Sequence, residues 1–255
     1  MRWKLLPVRL AGVAVLLVLL AGAGWWFFIR ETNEAQKQAA PVTDAVREAA
    51  SQTATPAASA TAQAIAPGAA AAAAPSTLNG RSFRIIAGQS QAWYLAPERL
   101  ASLPTTSTAK GTTTSVSGEF HLAAGGLAEG KTTTFWVGLK GLRSDESRRD
   151  DRVQGALQTS RFPDAVFTAT KLEGMPAAFG PNDSVMQLTG MLELRGVTRA
   201  VVWELKVKQD GEILSGLATV KFRYDEFGIT KPDIAGFVTV ADEVTLQVQL
   251  FAAPA

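Results

Sequence analysis

Residues 80–255 predict an all-β fold, a sheet of antiparallel strands carrying one inserted helix. Three observations point there. Apolar side chains recur at every second position in segment after segment, the mark of strands with one buried face. Short turn-like stretches join the segments, and strands joined that way pair antiparallel. Only residues 139–167 read as helix, with strand-like segments on both sides, which suits a lid or plug on a sheet better than a repeating βαβ layout.

Residues 83–87 and 92–95 are short, the second holding Trp93 and Tyr94. Residues 113–122 alternate strictly, with Val116, Gly118, Phe120 and Leu122 on one face and Ser115, Ser117, Glu119 and His121 on the other. Residues 132–139 place Phe135, Val137 and Leu139 together. In the helical stretch Ser144 is suited to cap, and Asp145 and Glu146 to the positive end of the dipole. Val153 and Leu157 share a face with Ala156 beside them, and Pro163 stops the helix before Phe162. Residues 165–172 are β-branched and aromatic; residues 185–194 put Met186, Leu188, Gly190, Leu192 and Leu194 in phase. Residues 199–207 give Val201, Trp203, Leu205 and Val207. Asp210-Gly211 signals a hairpin, residues 213–224 follow with Leu214, Gly216, Ala218, Val220 and Phe222, and residues 244–250 close with Val244, Leu246, Val248 and Leu250. Eight or nine strands of this kind satisfy a sandwich or a barrel. Closure into a barrel hides every edge, and an eight-stranded barrel is either just filled by side chains or just holds one small ligand.

The N-terminal third is different. Residues 10–29 form an uncharged run of 20, about 30 Å as a helix and so the thickness of a bilayer's hydrocarbon core. Arg2, Lys4 and Arg9 precede it, which keeps the N-terminus cytoplasmic and exports the rest. Trp25, Trp26, Phe27 and Phe28 fit an aromatic belt at the far interface. The competing reading is a signal peptide cut near Ala21-Gly22-Ala23, but the apolar run continues past that point. Residues 31–79, rich in Ala, Thr, Ser, Gln and Pro, read as a flexible spacer with ends ~40 Å apart on average. The expected organisation is therefore an anchor over 1–30, a linker over 31–79 and a β domain over 80–255.

Charge and composition narrow the chemistry. From residue 81 onward 19 Lys+Arg balance 19 Asp+Glu, which argues against a nucleic-acid partner. The chain has no cysteine, which excludes disulfides, zinc–thiolate sites, thiol catalysis and lipoprotein acylation. His121 is the only histidine and lacks a second positioned group, so it reads as a polar strand residue. Glu119, Asp145, Glu146, Asp150 and Asp151 have no spacing that makes a hydrolytic pair, and neither Asp225-Glu226 nor Asp242-Glu243 has the alternating oxygens of a calcium loop. No enzyme and no metal site is expected. The interior-facing candidates are Phe120, Phe135, Val137, Phe167, Met186, Leu188, Leu192, Trp203, Leu205, Phe222 and Leu246. Gly118, Gly190 and Gly216 recur on the same faces, where glycine leaves space.

Several strings, in order and spacing, resemble the YceI-like family of bacterial envelope proteins. They are Gly118-Glu119-Phe120, Leu142 with Ser144 and Arg149-Asp150, Phe162-Pro163 with Phe167, and Leu188-Thr189-Gly190 through Gly196-Val197-Thr198-Arg199. Phe227-Gly228-Ile229 and Ala241-Asp242-Glu243-Val244 complete the set. The resemblance implies an eight-stranded lipocalin-like barrel around an apolar channel for polyisoprenoid or other long-chain lipid, with no cofactor required. It also implies export and, often, a homodimer. It marks Arg149 and Asp150 as a structural charge pair, expected to fix the helix across the barrel through an ion pair or buried hydrogen bonds. Family members are commonly free in the periplasm after signal cleavage, whereas this chain is expected to stay in the cytoplasmic membrane. The helix over 145–158 and the loop at Phe227-Gly228 are the expected mouth. The alternative from the residues alone is an envelope adaptor with a filled barrel, acting through protein contacts.

Overall fold

The alternating segments pair edge to edge until the sheet meets itself. The structure, a computed structural model, describes residues 34–53, 80–100, 106–231, 233–234 and 238–255. Helix α1 (Asp44–Thr53) is followed by β1 (Ser82–Ile85), β2 (Gln91–Leu100), β3 (Thr106–Thr113), β4 (Val116–Ala123), β5 (Gly126–Leu127) and β6 (Thr133–Gly138). Helix α2 (Ser147–Leu157) precedes β7 (Asp164–Glu173), β8 (Ser184–Leu194), β9 (Val197–Asp210) and β10 (Ile213–Arg223). A 3₁₀ turn (Tyr224–Phe227), β11 (Asp233–Ile234), β12 (Val238–Val240) and β13 (Glu243–Pro254) end the chain.

The barrel has eight staves. β1 and β2 are two legs of the first, β3 and β4 of the second, and β6, β7, β8, β9, β10 and β13 supply the other six. Every pairing is antiparallel, and closure is direct: Phe83 of β1 sits opposite Phe120 of β4 on one side and Pro254 of β13 on the other. The expected turns hold the register. Asp210 pairs with Ile213 across Gly211, and Leu194 pairs with Val197 across Arg195 and Gly196, which both have positive φ, as tight hairpins demand. In β7 a bulge between Ala169 and Lys171 breaks step with β8, the device by which a strand bends more sharply around a barrel.

Three expectations are corrected. The helix begins at Ser147, capped by Glu146 rather than Ser144, because Ser144 is engaged elsewhere: its N–H and hydroxyl donate to Asp150 Oδ1 at 2.8 and 2.7 Å. It ends at Leu157, where Gln158 turns left-handed, ahead of Pro163 as the sequence requires. Residues 96–112 carried no strand signal, yet β2 runs on through Pro97 and pairs along β3 from Ala92↔Thr113 to Arg99↔Thr106. Thr and Ser make up most of β3, so the period of two is invisible to a hydropathy reading.

The third correction concerns the segment read as a free spacer. Residues 36–53 lie against the outer wall of the barrel, and α1 buries Val46 there. The apolar run 10–29 and residues 54–79 lie outside the described residues. Among the described residues no helix is long and apolar enough to cross a membrane.

Exposure along β13 places the core. Its inward side chains Leu246, Val248 and Leu250 are only half-buried, although they point into the barrel. Its outward Gln247 and Gln249 are 1% and 5% exposed. The inside is partly empty and this stretch of outside is covered.

Candidate functional site

The emptiness is one cavity of about 660 Å³, within the ~300–1,000 Å³ typical of ligand pockets. All eleven interior candidates line it. Phe120 comes from β4, Phe135 and Val137 from β6, Phe167 from β7, and Met186, Leu188 and Leu192 from β8. Trp203 and Leu205 come from β9, Phe222 from β10 and Leu246 from β13.

Alternation on neighbouring staves sets aromatic rings side by side. Phe83 stacks on Phe120 at 5.2 Å, Phe120 approaches Phe135 at 6.1 Å, Phe135 stacks on Phe167 at 6.4 Å, and Phe167 meets Trp203 edge-on at 5.8 Å. Offset and edge-to-face contacts of this kind are favourable beyond the area they bury. The rings lie flat along the wall because glycine lets them. A Cβ at Gly118 would come within 2.8 Å of the Phe135 ring, and one at Gly190 within 2.6 Å of the Phe167 ring. The third glycine of the pattern, Gly216, has only ordinary contact with Val207 and serves no such purpose.

The charged residues and the two tyrosines gather at one end. Tyr94, Glu98 and Tyr224 line the cavity there, and α2 lies across it with Val153, Ala156 and Leu157 facing in. Burial pushes the Tyr94 hydroxyl up to about 12, with the Arg149 charge pulling the other way. Burial, aided by the Glu98 charge, pushes Tyr224 up to about 12 as well. The Tyr94 hydroxyl and the Trp203 indole N–H are both buried without a hydrogen-bond partner among the described residues.

None of the eleven residues of α2 is fully buried, so polar contacts fix its position. Arg149 pairs with Asp145 one turn back and reaches Glu98 Oε1 on β2 at 3.4 Å. Gln154 Nε2 donates to the Leu139 carbonyl at 3.0 Å. Arg149 and Asp150 are therefore not a pair with each other: the first ties α2 to the barrel wall, the second ties it to Ser144 in its own approach loop. The tip of the loop around Phe227-Gly228 does not itself line the cavity. Phe227 is fully buried against Phe222, centroids 4.7 Å apart, and the Gly228 carbonyl accepts from the Arg195 guanidinium. It packs this flank, and its neighbours Tyr224 and Ile229 face the cavity instead.

Sequence reasoning missed Phe179, buried in the irregular stretch between β7 and β8 and facing the cavity. Nothing periodic surrounds it. Tyr94 was visible as an aromatic strand residue, and its in-phase relation to Ala92 and Ala96, both on the cavity wall, was the available signal.

His121 keeps a structural place, its Nδ1 2.7 Å from Ser82 Oγ across β1 and β4. Among the described residues no group of three or more acidic, histidine or cysteine side chains is placed to hold a metal ion.

The YceI-like domain matches the sequence over residues 83–252, two-thirds of the chain and the whole of the barrel's cavity wall. This chain belongs to the YceI-like family. No curated protein matches it by sequence. Among solved structures, the YceI-like barrel is similar to a polyisoprenoid binding domain from Saccharophagus degradans, implicated in plant cell wall breakdown, at 13% identity and a TM-score of 0.53, covering 69% of this chain and 99% of that one. It is also similar to BcnA of Burkholderia cenocepacia, at 17% identity and a TM-score of 0.49, covering 66% and 99%. A YceI protein of Campylobacter jejuni matches at 17% identity and 0.45, covering 57% and 84%. At 13% identity the likeness to the Saccharophagus domain shows the fold alone.

Proposed function

We propose that this YceI-like protein is a membrane-tethered, extracytoplasmic carrier that sequesters one long-chain apolar lipid, polyisoprenoid or fatty-acid-like, inside its barrel, by binding and without catalysis. One observation carries the reading: the inward apolar side chains surround a hollow of about 660 Å³ instead of meeting in the middle. Each methylene moved from water into such a wall contributes ~0.8 kcal/mol, so ten give ~8 kcal/mol before ordering costs. A lipid needs no charged anchor to be held at that level. The polyisoprenoid named for the Saccharophagus domain supports the ligand class.

In this reading α2 is the lid. Its apolar face closes the cavity, and its attachment through Arg149, Asp150 and Gln154 consists of contacts that water replaces when the helix lifts. The tether rests on the uncharged run 10–29 and the cations before it. The filled-barrel adaptor has the hollow against it.

Organic extraction of the purified protein followed by mass spectrometry tests the carrier. A stoichiometric polyprenyl or fatty species is the expected result. An empty protein of undiminished stability would sink the carrier and favour the adaptor. N-terminal sequencing of the mature protein tests the tether separately: a start after residue 23 would mean cleavage.

A further inference from the structure

The geometry points to a second binding site, on the outside of the barrel: a slot on β10 and β13 that takes an extended peptide by its backbone, with this chain's own Gln36–Ala40 as the dedicated occupant and α1 packed beyond it. The slot is built from side chains that do a strand's work. Gln247 Oε1 accepts from the Gln36 N–H and Gln247 Nε2 donates to the Gln36 carbonyl, both at 2.8 Å. Four residues on, Ala40 N–H donates to Gln249 Oε1 at 2.9 Å while Ser215 Oγ donates to the Ala40 carbonyl at 2.5 Å. Each rung satisfies one backbone donor and one acceptor, as a neighbouring β-strand would.

The rungs are held in advance. Gln247 also binds the Trp93 indole N–H at 3.2 Å and Thr219 at 3.0 Å, and Gln249 Nε2 donates to Ser215 at 3.1 Å. Polar residues this deeply buried on an outer wall have a reason only if something covers them. The cover is selective for small side chains, since Ala39 is 3% exposed among Trp93, Leu95 and Leu217. Beyond the slot α1 sets Val46 onto Ile86, Ile213 and Phe251, and Arg47 meets Asp210 at 2.5 Å. Lys206 and Lys208 close the edge on the carbonyls of Lys37 and Ala39 at 2.9 and 2.7 Å.

The segment is thus a clasp. It takes hold of the chain at Gln36, leaving residues 31–35 ahead of it where the sequence offered 49 spacer residues. That count, unlike the slot, rests on reading residues 10–29 as an anchor, and the slot depends on no reading of the cavity.

Trypsin sites inside the clasp, Lys37 and Arg47, provide the test in the full-length protein. The double variant Ala39→Glu, Val46→Asp alters only the clasp, so the barrel folds regardless and Tyr94 and Tyr224 remain masked at alkaline pH. Cleavage at Lys37 and Arg47 is expected to be at least ten-fold faster in the variant than in the parent. Gln249→Ala alone, which removes one rung, is expected to raise cleavage at Lys37 a few-fold. Equal cleavage of parent and double variant would overturn the assignment. So would protection that fades on dilution, because the clasp would then come from a second copy.

Discussion

At the scale of single residues the cavity is best probed through its two tyrosines, which are all the tyrosine this chain has. Both have hydroxyls pushed from about 10 to about 12, chiefly by burial. In the unfolded chain they ionise near pH 10. Between the two values the unfolded state holds fewer protons than the folded one, so stability is intact below pH 10 and falls as pH rises toward 12. Absorbance at 295 nm is expected to show almost no phenolate at pH 10.5 in the folded protein and about three-quarters ionisation once it unfolds; a midpoint near 10 in folded protein would mean the rings are wet. A second probe is Trp203, 6% exposed on the cavity wall. Trp203→Arg puts a charge onto the apolar wall beside Phe167, at a cost of several kcal/mol, and is expected to abolish lipid recovery in the extraction assay. Undiminished loading would mean the wrong face is assigned to the ligand. These residues were legible because period two is rigid: knowing that Phe120 faces inward fixes Val116, Gly118 and Leu122 as well. The orphaned Trp203 N–H and the raised tyrosines were not legible, because burial of a polar atom depends on staves far apart in sequence.

Among the elements, α2 carries the most conditional attachment. Arg149→Ala leaves Glu98, 9% exposed, without its cation, a change worth roughly 1–3 kcal/mol in the closed position. The expected outcome is faster exchange of a fluorescent fatty ligand, several-fold in the off-rate, with the thermal midpoint lowered by only a few degrees. An unchanged off-rate would show that lipid leaves elsewhere. The sequence placed this helix, its apolar face and its end, since Val153, Ala156 and Leu157 are spaced for one side and Pro163 forbids continuation. It misplaced the start by preferring the nearest serine. A cap is chosen by what its side chain has left to give, and Ser144 had already committed its hydroxyl to Asp150. The same limit hid β3, whose Thr-rich outward and inward positions look alike until β2 is laid beside them.

For the molecule as a whole, the barrel and its eight staves follow from alternation plus the need to hide edges, and the family resemblance decided between barrel and sandwich. Residues 36–53 escaped because their composition matches that of a spacer; what makes them part of the domain lies 175 to 211 residues away in Ser215, Gln247 and Gln249. A chain trimmed to start at residue 80 would bare Trp93, Leu95, Leu217 and Phe251 on the outer wall. Loss of the Val46 contact alone removes roughly 2 kcal/mol. Calorimetry is expected to find the trimmed protein melting ~4–8 °C lower than the chain beginning at residue 34. Equal midpoints would mean the outer contacts add nothing.

The doubly covered wall gives this barrel a front and a back. With the hollow on one side of β13 and its own backbone strapped to the other, the outer face of that stave cannot host a foreign neighbour while the strap is in place. The large apolar side chains left bare stand on other staves, Trp136, Met191 and Val202 on β6, β8 and β9.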